Sequence, residues 1–105
     1  MNKKKIALFF FGNINYDARS FNMIKTLSES NYYVDAYHLA SKTEFKKNTS
    51  LIGLQNNYKR GVLKFYEWFK IIKKIPLDSY SSIIASDLYS LAGLKLNSKN
   101  FVIYD

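Results

Sequence analysis

Lys5-Ile6-Ala7-Leu8-Phe9-Phe10-Phe11-Gly12-Asn13-Ile14-Asn15-Tyr16-Asp17-Ala18-Arg19 is a continuous apolar run that meets a glycine, crosses a short polar loop and enters a helix. An apolar run without alternation is the pattern of a strand covered on both faces, and so of a parallel sheet. The handover at Gly12 matters for function. Where a buried strand passes through a glycine into a helix N-terminus, the first helical amides have no intrahelical partner, and α/β proteins commonly place ligands there.

Outward from this stretch the pattern keeps alternating. Residues 18–31 turn helical, with Phe21, Ile24 and Leu27 at three-residue steps and Asn31 placed to close the helix in the left-handed conformation. Residues 32–39 are rich in aromatic and β-branched side chains and read as a second strand, whose Asp35 favours a sheet margin. Residues 41–50 are polar and read as loop, and 51–54 as a short third strand. Residues 59–75 form a helix by pattern, with Val62, Phe65, Tyr66, Phe69 and Ile72 on one side and Lys64, Glu67, Lys70 and Lys74 on the other, stopped by Pro76. A strand at 82–86 ends at Asp87, a brief helix covers 88–96, and a turn at 97–100 leads into a last strand at 101–105.

Strands alternating with helices imply right-handed crossovers and helices on both faces of one sheet. The expected fold is a Rossmann-like open parallel sheet forming a single domain over residues 1–105. In the commonest strand order of that class the first strand is central, flanked by the second and by the strand at 82–86. The crevice between the ends of the first strand and the strand at 82–86 is a topological switch point, faced by Gly12 and Asp87.

Composition bounds the chemistry. At 105 residues and 48% apolar, the chain suffices for one core and is too short for two. It has no cysteine, which excludes disulfides, thiolate metal sites and cysteine nucleophiles and is compatible with a reducing, cytoplasmic setting. The lysines at 3–5 precede only six apolar residues and no small-residue cleavage site, so a secretory signal is not expected. The formal charge of +8 suits either a lysine-solvated surface or an anionic partner such as phospholipid head groups, a phosphorylated ligand or nucleic acid.

Single residues add little chemistry. A dinucleotide fingerprint needs three glycines and this loop has one, and a Walker phosphate loop is absent, so no cofactor is expected. Gly12 alone reads as a turn needing positive φ. Asp17 is placed to cap the following helix through its amides. Arg19 opposes the helix dipole in the first turn and calls for an anion: Asp17, Asp87, or a bound phosphate or carboxylate. His38 is the only histidine, without metal-site or nucleophile partners, and reads as structural; no metal is expected. Residues 59–74 carry six basic residues against one acid. They form either a core-packing helix with lysines in water or an amphipathic helix resting on an anionic bilayer, with Lys64, Trp68, Lys70 and Lys74 as the candidate contacts.

Two blocks together resemble a known family. Gly12-Asn13-Ile14-Asn15-Tyr16-Asp17-Ala18-Arg19, followed by a helix and by Tyr33-Val34-Asp35-Ala36-Tyr37, looks like the start of GT-B glycosyltransferases of the family 4 type. Ile84-Ala85-Ser86-Asp87-Leu88-Tyr89-Ser90-Leu91 with Val102-Ile103-Tyr104-Asp105 is similar to that family's second landmark. The resemblance implies an enzyme that moves a sugar from a nucleotide-sugar donor to an acceptor between two Rossmann-like domains. This chain would be a truncated N-terminal, acceptor-side domain, inactive alone and lacking the donor site. By resemblance Gly12 and Asn13 line the cleft, Asp17 and Arg19 shape its wall, and Asp87 stands opposite. The chain departs from the family in having Ser86 where relatives often carry a histidine, and in lacking the Ser-His-Glu-like segment that often follows the position of Asp105.

The expected partners are then a glycan or lipid-linked sugar acceptor and a nucleotide-sugar donor, with peripheral attachment at the inner membrane face and no nucleic acid. The alternative is a non-catalytic basic α/β module that binds an anionic membrane surface or nucleic acid. Without a covering helix, Phe101, Val102, Ile103 and Tyr104 are expected to leave an apolar edge open to self-association.

Overall fold

The computed structural model describes residues 4–55, 62–97 and 102–104. Its first strand, β1 (Lys5–Phe10), is followed by a 3₁₀ turn at Ile14–Tyr16, by α1 (Ala18–Glu29) and by β2 (Tyr33–Leu39). Then come β3 (Glu44–Lys46), β4 (Thr49–Leu54), α2 (Val62–Lys73), a 3₁₀ turn at Leu77–Ser79, β5 (Ser82–Ala85), α3 (Leu88–Asn97) and β6 (Val102–Tyr104). Six strands form one sheet in the order β3-β4-β2-β1-β5-β6, parallel throughout except where β3 runs against β4. The result is an α/β protein with a mostly parallel sheet and helices on both faces.

Alternation along the strands sorts the core into two halves. Ala7 and Phe9 of β1, Tyr37 of β2, Ile83 and Ala85 of β5 and Val102 of β6 face Trp68 and Ile72 of α2 and Leu94 of α3. Ile6 and Leu8, Val34 and Ala36, Leu51 and Ile84 face Ile14 and Ile24 on the other side. Each large apolar side chain taken fully out of water contributes about 1.5–3 kcal/mol. Both faces of β1 are buried, which is why its sequence does not alternate.

Several expectations need correction. Residues 41–50 are not all loop, because Asn48 takes a left-handed conformation (φ 59°) and folds β3 back onto β4. Asp35 does not put β2 at a margin, since β2 lies between β1 and β4. Its carboxylate accepts a hydrogen bond from the Tyr80 hydroxyl (2.7 Å), which in turn lies 2.5 Å from the Tyr37 hydroxyl. Burial and these partners raise the Tyr80 pKa well above the usual tyrosine range, and burial raises that of Tyr37.

In α2 the sides also differ from expectation. Tyr66 is exposed, whereas Trp68 has 0% exposure and packs against Phe9 and Phe11, so Trp68 is a core residue and no membrane contact. The amides of Lys74 and Ile75 bond back to the carbonyls of Ile71 and Ile72, tightening the last turn before Pro76. Asn31 does adopt positive φ (74°) after α1. The helix start expected at residues 59–61, most of the turn expected at 97–100, and Phe101 and Asp105 lie outside the described residues.

Candidate functional site

The C-terminal ends of β1, β2 and β5 meet the 12–17 loop, and backbone amides determine how. Beyond Phe10 the chain leaves the ladder because the Phe11 amide donates to Asp87 Oδ2 (2.6 Å). The other carboxylate oxygen, Oδ1, accepts from the Ser90 amide (2.7 Å) in the first turn of α3. Asp87 thus caps α3 and ties β1 to it, with both oxygens held by main-chain donors. Charge-assisted bonds of this kind are worth about 1.5–3 kcal/mol each. The Ser86 amide continues the β1 ladder by donating to the Phe9 carbonyl (3.0 Å).

The 12–17 loop is fastened on the β2 side as well. Leu39 donates its amide to the Gly12 carbonyl (2.8 Å), and the Ile14 amide donates to His38 Nδ1 (3.0 Å). Asn13 caps the 3₁₀ turn, its Oδ1 accepting from the Asn15 amide (2.9 Å). Gly12 does not adopt positive φ, contrary to the turn expected of it; instead a Cβ there would stand 2.8 Å from Cε2 of the Phe10 ring. Asp17 sits at the N-cap of α1 but makes no side-chain bond to the helix amides, because its Oδ2 accepts from the buried Ser20 hydroxyl (2.5 Å). The Arg19 guanidinium crosses the crevice and donates to the Ser86 carbonyl (3.1 Å), joining the start of α1 to the end of β5.

Of the predicted residues, Arg19 and Asp87 stand at the β1/β5 crevice through their bonds to Ser86 and Phe11, whereas Gly12 is fastened toward β2, Asn13 bonds within its own turn and Asp17 bonds within α1. Lys70 lies exposed on α2 and Lys74 exposed just beyond its end. Lys64 reaches back to the crevice, its Nζ 5.1 Å from the Phe11 ring centroid. Phe11 also meets Tyr89 (5.0 Å between centroids) and Trp68 (5.6 Å), and Phe65 meets Tyr89 (5.7 Å). Tyr89 is 56% exposed, so the mouth of the crevice presents an aromatic surface backed by a rigid cluster.

Sequence reasoning missed Tyr89, whereas His38 is the structural residue it was read as, accepting from the Ile14 amide. The signal for Tyr89 was its place two residues after the strand-end aspartate, on the first turn of a helix that opens at the switch point. His38 is 1% exposed, and among the described residues its Nε2 has no protein partner; the same is true of the Ser86 and Ser90 hydroxyls. Burial lowers the His38 pKa, with the charge of Glu44 pulling weakly the other way. Among the described residues no three His, Asp or Glu side chains gather where they could hold a metal ion. The arrangement presents an open aromatic face at Tyr89 and the guanidinium of Arg19. Among the described residues the one hydroxyl of the site seen bonded to a carboxylate is that of Ser20, on Asp17 Oδ2, and it is buried in the first turn of α1.

No helix among the described residues is long and apolar enough to cross a membrane. Compared with protein-family models, curated proteins and solved structures, the chain finds no match in any of the three.

Proposed function

We propose that this chain is a Rossmann-like, acceptor-side domain of a GT-B glycosyltransferase of the family 4 type, which seats a sugar acceptor and relies on a donor-binding domain outside this sequence for transfer. The observation that carries the reading is the braced crevice at the switch point. Its one wall, Gly12 to Arg19, is fastened to β2 and β5, and its other wall, Asp87 to Tyr89, holds an open ring against Phe11. A tyrosine so placed offers an apolar face to a pyranose ring and a polar tip to its hydroxyls. The setting proposed is cytoplasmic.

Amide chemical shifts of the ¹⁵N-labelled chain test this with a panel of methyl glycosides and disaccharides, and with UDP-glucose as the donor probe. Saturable shifts at Gly12, Asn13 and Tyr89 with a saccharide, lost in Tyr89→Ala, are expected. Shifts at the same amides with UDP-glucose alone, or none with any saccharide, would overturn the reading.

A second reading has its own observation. Leu63, Tyr66, Lys70 and Lys73 are all exposed and fall at steps of three and four along α2, making an outward stripe that is apolar at one end and basic at the other. Such a stripe suits an anionic bilayer. Co-sedimentation with phosphatidylglycerol vesicles, but not with phosphatidylcholine vesicles, and its loss in Lys70→Glu/Lys73→Glu, would favour peripheral attachment; equal pelleting with both lipids would sink it.

A further inference from the structure

A second concave site lies away from the crevice, between α1 and the β3–β4 hairpin, toward the N-terminal ends of the strands. Its cavity of about 580 Å³ falls within the size range of small-molecule sites. On this face α1 packs on β2, and the β3–β4 hairpin bounds the other side of the cavity. Phe21, Ile24 and Leu51 supply apolar lining, while Lys25, Lys46 and Lys47 supply cations against the one carboxylate of Glu29. The lining charge is therefore +2, from three lysines and one glutamate. Lys46 is held over the floor, its Nζ 4.9 Å from the Phe21 ring centroid.

The frame around this cavity is fixed. Asn48, in its left-handed turn, donates from Nδ2 to the Ser28 carbonyl (3.4 Å), linking hairpin to helix. The Val34 amide donates to the Asn48 carbonyl (3.0 Å), anchoring the same turn to the sheet. An apolar floor under a rim of cations matches a ligand with an apolar body and one anionic group. A bare inorganic anion would leave the apolar floor wet. A neutral hydrocarbon would leave the lysines unused.

We infer that the cavity between α1 and the β3–β4 hairpin binds a small amphipathic anion, an aromatic or acyl group bearing one phosphate or carboxylate. The body rests on Phe21, Ile24 and Leu51, and the anionic group lies among Lys25, Lys46 and Lys47. The site is independent of the glycosyltransferase reading, since it shares no residue with the crevice.

The test is an amide-shift titration of the full chain with 1-naphthyl phosphate and with hexyl phosphate, the two arms separating an aromatic from an acyl source. Saturable shifts at Phe21, Lys25 and Asn48 are expected with at least one of them. 2-Naphthalenemethanol and inorganic phosphate should each bind at least about tenfold more weakly, and Lys46→Ala/Lys47→Ala should weaken the phosphate probes by about tenfold or more while the spectrum stays dispersed. All the substituted lysines are exposed, so the fold is retained. Inorganic phosphate binding as tightly as the probes, an unchanged affinity in the double variant, or shifts confined to Gly12 and Tyr89 would each overturn the assignment.

Discussion

His38 shows how one side chain can hold a loop and make stability depend on pH. Because its Nδ1 accepts from the Ile14 amide, the neutral ring carries its proton on Nε2, inside the protein. Protonating Nδ1 would set one N–H against another and bury a cation, so the native pKa lies below the ordinary value of 6.5. Between that lowered value and 6.5 the unfolded chain binds more proton than the native one. Stability from this group is therefore complete above pH 6.5, falls as pH drops through the window, and changes no further below the native pKa. The slope is at most about 1.4 kcal/mol per pH unit. Urea midpoints at pH 7.5, 6.5 and 5.5 should decline accordingly. His38→Asn places an oxygen near the position of Nδ1 and cannot titrate, so its midpoints should be flatter; an equal decline in the variant would remove His38 as the cause.

At the scale of elements, the hairpin that shapes the second cavity depends on Gly53. Its amide donates to the Thr43 hydroxyl (3.1 Å), and the chain at Ala40 and Lys42 passes directly over it. A Cβ at position 53 would lie 2.8 Å from the Ala40 carbonyl oxygen and closer still to that of Lys42. Both are backbone atoms, which cannot rotate away. Gly53→Ala should therefore cost about 1–3 kcal/mol by urea denaturation and shift the amides of β3 more than those of β1. That hairpin was also the least legible part of the chain. β3 is exposed at every residue, so no burial pattern marked it, and the start of β4 at Thr49 and Ser50 was expected as loop, whereas β1 was readable as an unbroken apolar run and α1 from its helical period. The site divides the same way. Strand order led to the expectation that Gly12 and Asp87 share one crevice, but the bond from Phe11 to Asp87 spans 76 residues and leaves no local trace. Asp17 looked like a cap by position, yet Ser20 three residues later competes for the same oxygen. Trp68 was drawn to the surface by its lysine neighbours, although the stripe it belongs to, with Phe65, Ile72 and Ile75, points inward.

Across the whole molecule the two edges of the sheet are unlike. β3 is three residues long and bears Glu44 and Lys46, both exposed, which discourages another strand from pairing there. β6 presents Ile103 at 43% exposure and Tyr104 at 50%, with no charge in the described strand. Pairing of two copies through β6 would cover these side chains and complete the open ladder. Opposing it is the formal charge of +8 on each chain, which repels over about 30 Å at 0.01 M salt and only about 8 Å at 0.15 M. Association through β6 should therefore strengthen as salt is added, the reverse of what lysine–carboxylate contacts between copies would do. Sedimentation velocity at high protein concentration should give a monomer at low salt and a growing dimer fraction at 0.3 M. Ile103→Lys, which puts a charge on the edge, should stay monomeric in both. A wild-type chain that remains monomeric at high salt, or a dimer that dissolves as salt rises, would show that β6 is not the contact.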